Sequence, residues 1–373
     1  MTRRFIPLDV LRGLTVALMI IVNNPGSWSR IFPPLRHAAW DGCTPTDLVF
    51  PFFLFCVGAS MAFSLSGFDG LSGGAVKKIL KRGVLIFLVG VGLNAFPFYP
   101  MYPDPSLSFG ENWLAWLGNL RVFGVLQRIA ISYVIASMLV LWLKTPVRTA
   151  VAVVLLCGLH VALLLAFAGP EGAFTLEGCF ARRVDVALVG ESHVYHGYTF
   201  ADGTRAAFDP EGLLGSLTGA CTALLGFLAG RIAKSGETAY AAVARLAVFS
   251  AFSLLLSQII GIWVPVNKPL WSASYVFYTA GWAMLVLAVL TYLIDVMNIS
   301  GPFIPFRAMG MNPLAIFVLS GILAKSIPGI FGWNYTTVFG SDEWMSLLYA
   351  VLFMLLHMAI AMILYKKRII IKL

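Results

Sequence analysis

The sequence predicts an all-α protein, a polytopic bundle of transmembrane helices with both chain termini in the cytoplasm. Of its 373 residues, 59% are hydrophobic and only 12% are charged, and the mean hydropathy is +0.86. A soluble domain of this size needs more charged surface than that. Apolar runs of about 17–25 residues, the length that a helix needs to cross the hydrocarbon of a bilayer, recur throughout the chain.

We expect ten of these runs to span the membrane as one transmembrane domain, residues 1–373. Their approximate limits are 6–25, 46–66, 80–98, 122–143, 147–168, 211–233, 242–264, 272–295, 309–327 and 344–366. The first run is a retained span rather than a signal peptide, because Asp9 and Arg12 lie near its start and no small-residue cleavage site follows it.

One long connection, residues 169–210, separates the fifth and sixth runs. Its mixture of glycine, aspartate and aromatic residues predicts an irregular extramembrane loop. At its end, Asp209 is expected to cap the next helix, with Pro210 in the first helical position.

The formal net charge of +9 could indicate a nucleic-acid-binding protein. The basic residues, however, fall in short connections between apolar runs, as in the cluster Lys77, Lys78, Lys81 and Arg82. This is the positive-inside pattern of membrane proteins, so nucleic acid is excluded as a partner. The pattern places the turn around residue 37 and the loop 169–210 on the extracytoplasmic side.

That turn carries the most reactive group of residues. His37 precedes Asp41 by four residues, and Asp47 lies at the start of the second apolar run. An isolated histidine is more often structural than catalytic, but Asp41 could orient this ring if the turn is helical, and Asp47 lies near. Histidine changes its protonation state near neutral pH, so it can take a proton from an amine or hydroxyl group, or accept an acyl group itself.

Other ionisable residues lie within the apolar runs, where they need a partner or a wet cavity. Asp9 and Arg12 are three residues apart on one helix face, so they either pair with each other or leave Arg12 open to a phosphate group. Arg128 either binds an anionic substrate or pairs internally, with Asp9 or Asp47 as candidates.

The cysteine and histidine spacings predict no metal site. Glu191, His193 and His196 lie close together in the long loop, but further ligands at regular spacing are missing from the sequence. No two cysteines are separated by two residues, as they are in a Cys-x-x-Cys motif. Cys43 and Cys179 lie outside the spans on the same side, which leaves a disulfide bond between them open.

Several motifs occur in a fixed order along the chain. They are LDVLRGLT at 8–15, VNNPG at 22–26, HAAWDGCTPTDLVFP at 37–51, GVLQR at 124–128, YH at 195–196, DPEGLLG at 209–215, VPVNKPLWSASY at 264–275 and GMNP at 310–313. Together they resemble the heparan-α-glucosaminide N-acetyltransferase family and its bacterial relatives, over nearly the whole chain.

The resemblance implies a multi-pass enzyme that takes acetyl from cytosolic acetyl-CoA, its co-substrate, and places it on the amine of a glucosamine-type sugar across the membrane. It implies His37 as the essential histidine and Asn23 or Asn24 as the preceding asparagine.

The site residues expected from the residue pattern and the resemblance together fall into three groups. The catalytic candidates are His37, Asn23, Asn24, Asp41 and Asp47; the acetyl-CoA-binding candidates are Arg12, Arg128, Asp9 and Gln127; and the acceptor-binding candidates are Trp40, Glu211, Asn267, Lys268, Trp271 and Asn312.

The chain also departs from the family pattern. Lysosomal members often carry asparagine where this chain has Asp41, and they have a long lumenal region and one further span ahead of the first run matched here.

We expect a bacterial inner-membrane protein whose partners are an amino-sugar acceptor, membrane lipid and a second copy of the chain. Acetyl transfer could be direct or could use an acetyl-histidine. The alternative function is a proton-coupled sugar or lipid carrier, although carriers usually contain internal repeats, which the sequence lacks.

Overall fold

The computed structural model describes residues 5–101, 103–235, 238–331 and 335–371. Within these ranges the regular secondary structure is helical apart from a small antiparallel hairpin, in which β1 (Tyr198–Thr199) pairs with β2 (Arg205–Ala206). The predicted all-α class is therefore confirmed. The helices are α1 Ile6–Asn23, α2 Val49–Ser64, α3 Gly73–Ala95, α4 Phe109–Gly118, α5 Val125–Leu143, α6 Pro146–Ala166, α7 Phe180–Val189, α8 Gly215–Lys234, α9 Ala239–Gly261, α10 Ala273–Thr291, α11 Ile304–Met311, α12 Pro313–Phe331, α13 Tyr335–Phe339 and α14 Glu343–Lys366.

In the described ranges, eight helices are long and apolar enough to cross a membrane. A ninth span results if the segments Gly301–Met311 and Pro313–Ile327, which meet at an angle of 75°, are counted together. The structure therefore supports eight or nine spans rather than the predicted ten. The difference is α3, which has 23 residues but begins with the basic cluster of residues 77–82.

The connection 169–210 is more ordered than the sequence suggests. It contains α7 and the β1–β2 hairpin, so the expectation of an irregular loop was wrong. The expected start of α8 was also wrong, because α8 begins at Gly215 and Asp209 is not its cap. Asp209 instead accepts the backbone N–H of Glu211 (3.0 Å) and closes a turn that ends at Gly212.

By its internal contacts the chain divides into two compact units. Unit 1 comprises Met1–Ser66, Leu225–Gln258 and Phe277–Leu373. Its apolar core lies around Leu11, Phe55 and Leu287, all of them fully buried. The helices α1 and α11 touch backbone to backbone, because a Cβ atom on Gly13 would collide with the carbonyl oxygen of Phe306.

Unit 2 comprises Gly67–Leu224 and Ile259–Val276. Here α3 packs against α5, with Gly90 leaving room for the side chain of Gln127. The next contact joins α5 to α8, since the Ser132 hydroxyl donates to the carbonyl oxygen of Ser216 at 3.0 Å. The buried hydroxyl of Ser132 is thus satisfied by a backbone carbonyl of the neighbouring helix.

Candidate functional site

A histidine–aspartate pair lies in unit 1, on the segment that leads into α2. The Nδ1 atom of His37 is 2.7 Å from the Oδ1 atom of Asp47. The His37 side chain is 47% exposed, whereas that of Asp47 is 1% exposed. Because a carboxylate only accepts, the hydrogen bond places the proton of the neutral ring on Nδ1 and leaves Nε2 as the basic nitrogen.

The carboxylate of Asp47 is itself fixed by the turn. Its Oδ2 atom accepts the backbone N–H groups of Ala38 and Thr44, each at 3.0 Å, and the Thr44 hydroxyl at 3.1 Å. Asp47 and Thr44 form a capping box at the short 3₁₀ turn Pro45–Leu48, which leads directly into α2. One buried carboxylate therefore orders the loop and orients the His37 ring.

The remaining catalytic candidates lie beside this pair in sequence but have different surroundings. The turn is not helical, and the carboxylate that bonds the His37 ring belongs to Asp47, while Asp41 is exposed. Asn23 is exposed at the last residue of α1. The Asn24 amide is engaged, because its Nδ2 donates to the carbonyl oxygen of Ile20 at 2.8 Å. Trp40 is half-buried.

Arg12 is held by protein groups on three helices of unit 1. Its Nη1 atom lies 3.1 Å from Asp9 Oδ1 and 2.9 Å from the carbonyl oxygen of Gly310, and its Nη2 atom donates to the Ser60 hydroxyl at 2.5 Å. Asp9 is only 5% exposed. Of the two alternatives that the sequence left open, the structure has the internal ion pair.

In unit 2, Arg121 forms an ion cluster with two carboxylates at the end of the long connection. Its Nε and Nη2 atoms donate to Asp209 at 2.8 and 2.6 Å, and Nη2 also contacts Glu211. Burial lowers the pKa of Arg121, but the hydrogen bonds and charges of both carboxylates outweigh it and raise that pKa above its ordinary value. Glu211, an acceptor-binding candidate, is thus part of an internal cluster.

Arg128 is 1% exposed, and its guanidinium lies over the Trp271 ring at 5.0 Å. Its Nη2 atom donates to the carbonyl oxygen of Gly212 at 3.0 Å. The two partners proposed for it from sequence have other contacts, Asp9 with Arg12 and Asp47 with His37. The neighbouring Gln127 donates to the carbonyl oxygen of Val122 at 3.0 Å and is also buried.

The acceptor-binding candidates of the 264–275 motif build a buried turn. The Asn267 side chain accepts the N–H of Leu270 at 2.7 Å, and Asn267 is fully buried. Trp271 donates from Nε1 to the Thr222 hydroxyl at 3.1 Å and has a positive φ of 51°. Lys268 is half-buried. These contacts give Asn267 and Trp271 a structural role in shaping the turn.

Asn312, at the bend between α11 and α12, binds the C-terminal segment. Its Nδ2 atom donates to the carbonyl oxygen of Ile369 at 3.0 Å, and its Oδ1 accepts the N–H of Ile371 at 2.8 Å. Asn312 is 1% exposed. The Asn312 side chain therefore holds the backbone of the C-terminal segment with one donated and one accepted hydrogen bond.

The part of the chain that the structure describes contains no group of three or more His, Cys, Asp and Glu side chains placed to hold a metal ion. His193 has a structural contact instead, with Nδ1 at 2.8 Å from the carbonyl oxygen of Leu120. Neither Cys43 nor Cys179 forms a disulfide bond, so the pairing left open by the sequence is absent from the described part of the chain.

Comparison with known proteins agrees with the motif pattern. Residues 4–171 match the family model described as heparan-alpha-glucosaminide N-acetyltransferase, catalytic. The chain is 28% identical to the heparan-alpha-glucosaminide N-acetyltransferase of Mus musculus, over 96% of this chain and 59% of that protein. It is also 28% identical to the Homo sapiens protein of the same name, over 97% of this chain and 58% of that protein.

The chain is similar to the heparan-α-glucosaminide N-acetyltransferases. The resemblance predicted from the motifs is thus confirmed, and the multi-pass membrane character agrees with it. The chain spans about three fifths of the length of these two relatives. The matched residues include the His37–Asp47 pair, Arg12 and Arg128. They end before Asp209 and Glu211, the two carboxylates that bind Arg121.

Two features of these polar clusters were not found from the sequence. The first is that Asp47, ten residues from His37, is the carboxylate on the ring. Its signal was the Thr-x-x-Asp capping pattern ahead of an apolar run, which predicts a buried, fixed carboxylate. The second is Asp185, a buried carboxyl group on α7, for which the irregular-looking segment 169–210 gave no signal.

Proposed function

We propose that this chain is a membrane acetyltransferase that moves an acetyl group from acetyl-CoA to the amine of a glucosamine-type sugar on the extracytoplasmic side. The observation that carries the proposal is the hydrogen bond between His37 and the buried Asp47. The names of its relatives support the reaction class, and the eight or nine candidate spans among the described residues support a multi-pass membrane location, which we propose to be the inner membrane of a bacterium.

In direct transfer, Nε2 of His37 takes a proton from the sugar amine as the amine nitrogen attacks the thioester carbon. The C–S bond then breaks, and CoA leaves as the thiolate, which takes up a proton. Asp47 stabilises the imidazolium that forms, since its carboxylate is bonded to Nδ1. A donor to the developing oxyanion is also needed. Asn23 is the better candidate for this role, because the amide of Asn24 already donates to Ile20.

The alternative is a two-step reaction through His37 itself. Nε2 attacks the thioester, CoA leaves, and the acetyl-histidine then passes its acetyl group to the amine, which loses its proton. The same hydrogen bond to Asp47 supports this route, because it orients the nucleophilic nitrogen. Incubation with radiolabelled acetyl-CoA but no acceptor separates the two, since only the second route leaves one labelled acetyl group on each chain.

The phosphate groups of CoA need basic partners. Arg12 is bonded to Asp9, Gly310 and Ser60, and Arg128 is buried over Trp271, so neither guanidinium is placed at an open surface. Lys77 and Lys78 on α3 are exposed basic side chains, and lysine recognises phosphate as a point charge.

The test is CoA release by the purified chain with acetyl-CoA and glucosamine. We expect amine-dependent release in the wild type and a loss of about 10²-fold or more in both His37→Ala and Asp47→Asn. Asp41→Asn is the matched control, because it changes an exposed carboxylate of the same turn, and it should keep most of the activity.

Two results would contradict the proposal. Equal activity in the wild type and His37→Ala would remove His37 from the chemistry. Absence of CoA release across a panel of amino sugars, together with uptake of a sugar into vesicles, would favour the carrier function.

A further inference from the structure

A buried carboxyl group in unit 2 has no part in the chemistry proposed above. Asp185 on α7 is 1% exposed, and its Oδ1 atom accepts the backbone N–H of Leu213 at 2.8 Å. Its Oδ2 atom has no hydrogen-bond partner among the described residues, and a Cβ atom on Gly212 would collide with it. The helix α7 is therefore fastened to the turn 209–213 through this one side chain.

Arg128 contacts the same turn through Gly212, whose carbonyl oxygen it binds with Nη2. Its Nε and Nη1 atoms, like Oδ2 of Asp185, have no partner among the described residues. The two buried side chains thus reach one turn without forming an ion pair with each other. If both were charged, pairing would offset the large desolvation penalty of each. Since arginine stays protonated in proteins, the separation indicates that Asp185 is the neutral group.

The charges around Asp185 agree with this. Two guanidinium groups, Arg121 and Arg128, balance the two carboxylates of Asp209 and Glu211. Neither guanidinium is hydrogen-bonded to Asp185, because Arg121 binds Asp209 and Arg128 binds the carbonyl oxygen of Gly212. On its own helix, Arg182 lies over the ring of Phe200 at 5.3 Å, and α6 contributes His160, both of whose ring nitrogens lack partners in the described chain.

We propose that unit 2 contains a buried proton-binding site, in which the Asp185 carboxyl group carries a proton while α7 is fastened to the turn 209–213. Burial raises the pKa of Asp185 to about 7; the hydrogen bond from Leu213 and the charge of Arg128 oppose this, and the charge of Asp209 adds to it. Loss of the proton puts a second negative charge beside Asp209 and weakens the attachment of the long connection. The proton site therefore makes this connection sensitive to pH near neutrality.

The sign of the effect on stability follows from the raised pKa. The contribution of Asp185 to folding is complete below its ordinary value of 3.8 and is lost as the pH rises to about 7. For the purified full-length chain in detergent, we expect the melting temperature to fall by about 5 °C more between pH 5 and 7.5 in the wild type than in Asp185→Asn. Asparagine keeps the acceptor for Leu213 but cannot ionise.

The matched control is Asp202→Asn, which changes an exposed carboxylate on the same connection, between β1 and β2. This variant should follow the wild-type profile over that pH range. Identical pH profiles in the wild type and Asp185→Asn would overturn the proposal.

Infrared difference spectroscopy gives a second measurement that does not depend on stability. At pH 6 the wild type and Asp202→Asn should both show a protonated carboxyl C=O band that disappears above pH 8, and Asp185→Asn should lack it. If Asp185→Asn fails to fold, the wild-type spectrum still decides, because absence of a carboxyl band that titrates between these values would refute the site.

Discussion

The Nη1 atom of Arg12 lies 3.1 Å from the Oδ1 atom of Asp9, one helical turn away on α1. The same guanidinium reaches α2 through Ser60 and α11 through the carbonyl oxygen of Gly310. Arg12 thus connects three helices within unit 1, while it neutralises a carboxylate that is only 5% exposed. The sequence allowed either CoA binding or internal pairing for Arg12. In the structure its guanidinium donates to groups of the protein itself.

Removal of this guanidinium should be strongly destabilising. Arg12→Ala removes the guanidinium that pairs with the buried Asp9, and breaking a buried pair in this way costs about 3–5 kcal/mol. Unfolding in detergent, followed by tryptophan fluorescence, measures the change. Arg30→Ala is the control, because Arg30 is exposed, and it should lie within about 0.5 kcal/mol of the wild type. A stable Arg12→Ala protein with a raised KM for acetyl-CoA would restore the phosphate-binding role.

Arg121→Lys should loosen the end of the long connection. Arg121 binds Asp209 with two parallel N–H···O bonds, at 2.8 and 2.6 Å, and an ammonium group cannot reproduce that fork. We expect a loss of about 1–3 kcal/mol in unfolding free energy and faster proteolysis within residues 195–208. Arg205→Lys, an exposed change on β2, should leave both unchanged. Equal proteolysis in the two variants would mean that the cluster does not order this segment.

Trp271 and Thr222 should be energetically coupled. The indole N–H donates to the Thr222 hydroxyl at 3.1 Å, and both residues are fully buried. A double-mutant cycle of Trp271→Phe and Thr222→Val should give about 1 kcal/mol of coupling, since either change alone removes the bond. The control cycle combines Trp271→Phe with Thr218→Val, because the Thr218 hydroxyl donates to the carbonyl oxygen of Gly215 instead. The free-energy changes of these two substitutions should be additive. If the Thr222 cycle is also additive, the bond does not contribute to stability.

Asn312→Leu should release the C-terminal segment while leaving the KM for the acceptor unchanged. The Asn312 amide donates to Ile369 and accepts from Ile371, and leucine can do neither. Hydrogen exchange at the Ile371 amide should accelerate by about tenfold, the effect of one lost bond of about 1.4 kcal/mol. Asn312→Asp keeps the acceptor and should protect that amide more than leucine does. A selective rise in the acceptor KM would instead support a binding role.

The membrane spans could be predicted because they depend on a local property, the length of an apolar run. Each of the ten predicted runs overlaps a helix, and the reduced count comes from the basic start of α3 and the bend at Asn312. The start of α8 was misplaced because Asp209-Pro210 resembles a helix cap. The structure uses that aspartate to bind Arg121, which is 88 residues away, and a contact at this separation leaves no local signal.

For the candidate site, residue types could be predicted, but pairings could not. His37 and Asp47 were both selected from the turn, yet the choice between Asp41 and Asp47 as the partner of the ring depended on whether the turn is helical. The structure has an extended turn closed by hydrogen bonds to Asp47, which brings the more distant carboxylate to the ring. Asp185 could not be found because its importance comes only from burial.

The contact between α1 and α11 restricts how this sequence can vary. Gly13 and Gly310 each lie against the backbone of the other helix, so even a methyl group at either position would meet a carbonyl oxygen. Gly310 also supplies the carbonyl that binds Arg12. In a saturation-mutagenesis library these two positions should therefore tolerate almost no replacement, including alanine. A compensating change elsewhere could not restore the lost space, because the colliding atoms belong to the main chain.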